Sequence, residues 1–310
     1  MSGERITSER SLNKVTTSDF SGGGLLNRQQ FDEFFQIAQD EAQIMDQVRF
    51  ERLQGPKQQI DRIGVGERLL REATEATEGN LNNPNTESID MDAVKMELPW
   101  EVSMETVEDT IEGEGTADIL VEKFARQFGV DSEDLAFNGD TSSGDAFLSI
   151  NDGWIRDAEQ QGPAANVDHG NATIDKTIFS DLMTSLDPKY RRNPENLVYM
   201  TSLNQKQNYK DYLTDRSTAA GDAMLMTGEE PTPYGRPIVT PVGFPDDRIM
   251  LTTPMNLVWG VHRDVNMRVT QEGEAVVKRD LYGIYNLLAR TDYKVEAADA
   301  VSLAQNVATS

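Results

Sequence analysis

Cysteine is absent from the 310 residues, which excludes a disulfide framework and any thiolate metal site. Histidine occurs only as His169 and His262. His169 sits in a Gly/Asn/Asp run and His262 in an alternating apolar stretch. Neither has the spacing of a metal pair or of a nucleophile, base and acid set. Gly64-Val65-Gly66 has no third glycine and no helical pattern after it, and neither a Walker A nor a nucleophile-elbow sequence occurs, so nucleotide and acyl-transfer chemistry have no local support. No stretch approaches the roughly 18 apolar residues of a membrane span. The polar start Met1-Ser-Gly-Glu-Arg has no apolar signal-peptide run. The expectation is a soluble, cytoplasmically made protein with no membrane contact.

Positive charge is scarce. Lys and Arg total 29 against 53 Asp and Glu, for a formal charge of −24 and a pI near 4.4, and lysine occupies only ten positions. That balance argues against a general nucleic-acid-binding surface. A hydrophobic content of 37% and three tryptophans, together with amphipathic stretches, argue for a folded chain with an acidic surface rather than disorder. Such a surface repels itself in dilute buffer and is screened in molar salt, where the Debye length is roughly 3 Å. The charge reads as adaptation to high salt, with an ordinary solvated acidic face as the alternative.

Residues 1–20 are polar and lead into Ser21-Gly22-Gly23-Gly24, an extended arm. Asn27 caps a helix whose stripe is Phe31, Phe34, Phe35, Ala38, Ala42, Met45 and Val48. From Gln58 to Trp100 two alternating segments, 59–66 and 91–96, flank a polar stretch from Glu72 to Asn85, which predicts a long two-stranded ribbon with a polar tip. An isolated ribbon is marginal in water, so Leu69, Leu70, Leu81, Ile89 and Met91 are expected to pack on another subunit. Thr116 caps a helix with Ile119, Leu120, Phe124 and Phe128 on one face, predicted to stop at Gly129, with a short second helix over 131–137. Residues 140–171 read as loops. Asp175 opens a helix with Ile178, Leu182, Met183 and Leu186, closed by Asp187-Pro188. A buried strand over 196–201 follows, and Ser202 caps a helix to Leu213. The C-terminal part predicts strands over 258–269, a turn at Gln271-Glu272-Gly273, returning strands over 274–277 and 282–295, and a partly ordered tail from Ala297.

Three further patterns carry little. Asn138-Gly139-Asp140-Thr141-Ser142 begins like a calcium loop, but Ser143 stands where glycine belongs and Ser149 where the bidentate Glu belongs. The acid pairs Glu72/Glu75 and Asp246/Asp247 are explained by chance among 53 acids. The sequon Asn171-Ala172-Thr173 needs a glycosylation machinery that a chain without a signal peptide does not meet. No catalytic residue, cofactor or metal site is expected.

The order of arm, helix, ribbon, rod helix, compact αβα unit and long antiparallel strands resembles the major capsid proteins of tailed phages and tailed archaeal viruses, from about Gly22 to Val295. The resemblance is carried by Gly23-Gly24-Leu25-Leu26-Asn27-Arg28-Gln29-Gln30-Phe31, by Lys57 through Gly66, by Thr116 through Gly139, by Leu182 through Met200 and by the stretch from Pro231. It implies an α+β phage-capsid fold: arm 1–27, first helix region 28–57, extended loop 58–100, peripheral domain with spine helix 101–141, axial domain 142–253, peripheral strands 254–295 and tail 296–310. It implies hexamers and pentamers of an icosahedral shell around double-stranded DNA, bound without sequence specificity. Separate scaffolding, portal and decoration proteins are the implied partners, assembly is in the host cytoplasm, and the charge suggests a virus of a halophilic archaeon. The implied contact residues are Arg68, Leu69, Leu70, Arg71, Glu75 and Leu81 on the extended loop, Gln271, Glu272 and Gly273 where three subunits meet, and Ala219, Ala220 and Gly221 at the capsomer centre. Some members are welded by a Lys-Asn bond with the Lys near the ribbon. Residues 68–92 contain no Lys, so a non-covalent shell is implied. An encapsulin-like compartment shell and a halophilic enzyme are the alternatives.

Overall fold

The computed structural model describes residues 38, 42–64, 85–109, 116–161, 165–192, 196–214, 230–262, 266–272 and 274–309. In chain order, β1 (Arg49–Leu53), β2 (Lys57–Gly64), β3 (Asn85–Asp92) and β4 (Val94–Ser103) precede α1 (Met104–Asp109) and the long helix α2 (Thr116–Asn138). Then come α3 (Trp154–Gln160), β5 (Ala165–Ala172), α4 (Lys176–Ser185), β6 (Val198–Thr201) and α5 (Leu203–Thr214). The rest is β7 (Ile238–Val239), β8 (Ile249–Thr252), β9 (Leu257–His262), β10 (Asn266–Thr270), α6 (Glu274–Lys278), β11 (Leu281–Val295) and β12 (Ser302–Val307). Among the described residues no helix is long and apolar enough to cross a membrane.

The chain divides into two units. The first comprises Met1–Glu41, Glu97–Gly129 and Asp264–Leu288, and the second Ala42–Met96, Val130–Arg263 and Ala289–Ser310. In the first unit β10 pairs antiparallel with the start of β11, from Asn266 opposite Leu288 to Thr270 opposite Ile284. Strict alternation along β11 turns Leu281, Tyr285 and Leu287 inward, as a strand with one buried face requires. Trp100 fills the space between elements, stacking on Phe124 at 4.4 Å and on Tyr285 at 5.2 Å. The buried stripe of α2 here is Val121, Ala125 and Phe128, while Ile119 is exposed.

In the second unit β9 lies between β1, parallel to it, and the end of β11, antiparallel to it. A second sheet runs β5-β12-β8-β6-β7. Helices α4 and α5 cover it through a core that includes Phe179, Leu182, Tyr199, Tyr209, Leu251 and Ala304. Both helices start as their sequences dictate: Asp175 Oδ1 accepts from Thr177 N at 2.9 Å, and Ser202 Oγ accepts from Gln205 N at 3.2 Å. Strand β6 is buried on both faces.

Several expectations are corrected. Helix α2 passes through Gly129 without a break. Glycine costs a helix interior about 1 kcal/mol relative to alanine, but a Cβ at Gly129 would overlap the backbone carbonyl of Ala38, so the residue serves close packing rather than helix termination. Ala38 is helical, yet 42–48 form turns and 49–53 are strand β1, so the first helix does not extend to Val48. The reason is tertiary: the amides of Gln43 and Ile44 are bonded to the Glu133 carboxylate and cannot serve a continuing helix. Residues 274–277 lie in α6 rather than a returning strand, and β11 begins only at Leu281, after Asp280 turns the chain at φ 50°. The region 140–171 holds α3 and β5. The tail holds β12, an interior strand of the second sheet between β5 and β8. Its small residues Ser302 and Ala304 give no amphipathic period because both faces of the strand are covered.

Candidate assembly surfaces

The ribbon is formed by β2 and β3, in antiparallel register from Lys57 opposite Asp92 to Gly64 opposite Asn85. Eight pairs at about 3.3 Å per residue span about 26 Å. At its root the period-2 alternation sends Ile89, Met91 and Ala93 to one side, where they are buried with Leu53 and Val258 and joined by Ile60. Ile89 and Met91 therefore pack within their own chain, contrary to the expectation of a neighbour's surface. Met91 reaches β9 at Gly260, where a Cβ would overlap its methyl carbon, so glycine is what lets the root seat. The outer pairs Lys57–Asp92 at 2.7 Å and Gln59–Asp90 at 2.8 Å are exposed and add little stability.

A buried polar network fixes the same region. Asp292 Oδ2 accepts from Asp92 N at 2.6 Å, and Oδ1 accepts from Asn151 Nδ2 at 3.0 Å and Tyr293 N at 2.9 Å. Asp157 accepts from Val295 N at 2.7 Å, Gln161 Nε2 at 2.6 Å and Lys294 Nζ at 3.2 Å. Glu133 accepts from Ile44 N at 2.9 Å, Gln43 N at 3.2 Å and Val242 N at 3.0 Å. Burial raises all three carboxyl groups above the ordinary range and outweighs their hydrogen bonds and, at Asp157 and Asp292, the attraction of Lys294. On Lys294 burial is also the largest influence and acts downward, but Asp157 and Asp292 together win and hold the ammonium above its ordinary value.

Sequence reasoning missed these acids. Glu133 lies four residues after Gly129 and four before Phe137, on the buried stripe of α2, and that position was the available signal. Asp292 falls on the parity of β11 that alternation assigns outward, so no pattern marked it.

The raised carboxyls set a sign for pH dependence. The folded state binds their protons more tightly than the unfolded chain does, so stability falls as pH rises from the ordinary carboxylate range near about 4 through the raised folded values. Asp140, Asp168 and Glu230 act oppositely. Hydrogen bonds from Ser142, Asn306 and Lys206 respectively are the largest influences holding them below the ordinary range. Their contribution is lost as pH falls through those lowered values, and they are exposed, so the buried acids dominate. The expected outcome is a melting temperature that rises by a few degrees from neutral toward about pH 5 and falls below about pH 4. It should be measured by calorimetry in about 1 M salt, where net-charge repulsion is screened. Asp292→Asn should flatten the rise.

Among the described residues the two histidines lie apart on different strands. His169 Nε2 lies 3.1 Å from the carbonyl of Thr173 at the exposed strand β5, and His262 is buried in β9. Among the described residues no three His, Asp or Glu side chains cluster as metal ligands. A polar cleft of about 290 Å³ includes Asp140, Arg156, Glu159 and Arg248, with Arg248 paired to Glu159 and Arg156 within 3.7 Å of Asp140. Asp140 accepts from Ser142 N at 2.8 Å in a helix-ending turn. Of the expected contact residues, Gln271 and Glu272 are exposed where β10 leads into α6. Arg68, Leu69, Leu70, Arg71, Glu75, Leu81, Ala219, Ala220, Gly221 and Gly273 lie outside the described residues.

No protein-family model matches the chain. It is 29% identical over 304 residues, 93% of this chain and 94% of the relative, to the Bacillus subtilis (strain 168) protein named "Putative prophage capsid protein YqbE". Among solved structures it is similar to a chain of the satellite phage P4 procapsid including size determination protein (TM-score 0.68, 15% identity, 93% of this chain and 94% of that one). It is also similar to the capsid of an empty GTA particle (0.58, 15% identity, 86% and 90%). The holo-SrpI encapsulin complex of Synechococcus elongatus PCC 7942 is a third (0.53, 10% identity, 84% and 85%). With helices, ribbon and sheets as described, the chain has the fold of the tailed-phage major capsid proteins.

Proposed function

We propose that the chain is the structural subunit of an icosahedral viral shell, assembling as hexamers and pentamers around double-stranded DNA. The observation that carries the reading is similarity over nearly the whole length: 29% identity across 94% of a prophage capsid relative. The role is structural rather than catalytic. Arg68, Leu69, Leu70, Arg71, Glu75 and Leu81 are the residues assigned to contact with a neighbouring subunit. The segment at Ala219-Ala220-Gly221 faces the capsomer centre, and the corner at 271–273 meets other subunits at a three-fold contact. Each contact is weak, and closure of the shell supplies stability by multivalence. Scaffolding, portal and decoration proteins complete the particle. A subunit of charge −24 tolerates like-charged neighbours and packaged DNA best in high salt.

The compartment reading is favoured only by the encapsulin likeness, at 10% identity. Negative-stain electron microscopy of the purified protein in molar salt, before and after dilution, tests the shell: closed particles or capsomer rings are expected, and a small discrete oligomer under every condition would overturn it. Nuclease-protected double-stranded DNA inside particles purified from the source separates a virion from a compartment.

A further inference from the structure

The second sheet runs β5-β12-β8-β6-β7, so the last of its strands in chain order lies between the first strand and β8. On one side β12 pairs parallel with β5, from Ser302 opposite Ala165 to Val307 opposite Ala172. On the other it pairs antiparallel with β8 from Ser302 opposite Leu251 to Ala304 opposite Ile249. Among the described residues β5 has no other strand partner. It joins the sheet only through a strand that follows every other one in the chain, and that long-range pairing is the slow kind to form.

Within β12 the buried Ser302 and Ala304 remove little apolar area from water, and Leu303 and Val307 are the larger anchors. Much of its hold is polar. Ser302 Oγ lies 2.6 Å from Ser185 Oγ on α4, Gln305 Nε2 donates to Glu159 of α3 at 3.0 Å, and Val307 N donates to the carbonyl of Asp247 at 3.0 Å. The inner part of the sheet has contacts of its own. Strand β6 is fully buried, Tyr199 donates to the carbonyl of Phe179 at 3.0 Å, and the Phe179 ring lies 4.6 Å from that of Tyr209. None of these contacts passes through β12. The two sides of β12 also differ. Without it, β8 would present a row of unpaired backbone groups, a template for a strand of another chain. Strand β5 is a poorer template: Gly170 at φ 62°, Asn171 at φ 59° and, across from them, Asn306 at φ 57° break the register between Gln305 and Val307 and curl the edge.

We propose that β12 is a strap that closes the second sheet last and opens it first, carrying β5 with it while β6, β7, β8, α4 and α5 stay folded. Shut, the strap covers the edge of β8 and gives the outer position to β5, whose curl stops further pairing. Open, it leaves β8 as a vacant strand slot. The device lies within one subunit and holds whether or not the chain builds a shell.

Hydrogen exchange of the purified full chain, read by mass spectrometry on fragments covering 165–172, 198–201 and 302–307, tests the strap. In the natural chain the slow amides of β5 and β12 should share one opening equilibrium and exchange more readily than those of β6. Equal protection of β6 and β12 overturns the proposal. Val307→Ala, a mild truncation at an anchor of the strap, supplies the second measurement. It should speed exchange in β5 and β12 by a common factor of about ten and leave β6 unchanged. Equal acceleration of all three strands would mean that the sheet opens only as a whole. Acceleration confined to β12 would mean that β5 is held by something else, and no acceleration anywhere that opening does not break the contacts of Val307. Each of these three results overturns the strap.

Discussion

Trp154→Ala is expected to lower the denaturant midpoint of the purified subunit further than any other single truncation in the second unit, and to leave much of the expressed chain insoluble. The indole is fully buried at the first position of α3. It makes edge contacts with Phe137 at 5.0 Å and Tyr293 at 5.8 Å, and its Nε1 donates to the carbonyl of Val258 at 3.0 Å. One side chain thus joins the end of α2, β9 and β11. Truncating a buried tryptophan to alanine costs about 3–5 kcal/mol through lost transfer energy and the cavity left behind. Losing the hydrogen bond adds about 1 kcal/mol. Set against a typical domain stability of about 5–15 kcal/mol, that is a large share. Trp154→Phe keeps most of the ring and should fall between the two. Urea unfolding with matched slopes checks the order, and a midpoint for Trp154→Ala equal to the natural chain would show that the three elements are held by something else.

How much of this was legible in the sequence depends on whether the signal was local. The caps of α4 and α5 were, because Asp175 and Ser202 bond their own helix starts and need no other part of the chain. The ribbon was only in part: β2 overlaps the alternating segment 59–66, but its partner β3 is Asn85–Asp92 rather than 91–96, and from Val94 the chain belongs to β4, because alternation marks a strand and not which strand it pairs with. Its anchoring was not. Ile89 and Met91 look stranded in a two-stranded ribbon until Gly260, far along the sequence, supplies a surface without a Cβ for Met91 to enter. Gly129 misled for the same reason: a helix-ending glycine and a close-packing glycine are identical letters, and only the position of Ala38 distinguishes them. The tail misled because an interior strand covered on both faces loses the period that makes strands visible. Segment α6 was read as strand since Val276-Val277 is β-branched and the chain resumes alternation soon after.

Glu133 shows most clearly what the acidic composition hid. In a chain with 53 carboxylates one more glutamate in a helix attracts no notice, yet this one is fully buried and accepts three backbone amides, those of Gln43 and Ile44 before β1 and that of Val242 before β8. It replaces the hydrogen bonds those segments would otherwise find in regular structure. Removing it by Glu133→Ala leaves three donors without an acceptor at about 1–3 kcal/mol each before relaxation, so a net loss of about 3–5 kcal/mol is expected. Glu133→Gln separates charge from geometry. Its one carbonyl oxygen can serve either Ile44 or the Gln43 and Val242 pair, and its amide nitrogen then faces the remaining donors, so it should cost more than a surface change and less than alanine. Both variants also remove a buried acid with a raised pKa, so the gain in melting temperature on mild acidification should shrink in each. A variant that loses stability at neutral pH but keeps the full acid gain would mean that Asp157 and Asp292 alone carry the pH response, and that Glu133 acts only as an acceptor for the three amides.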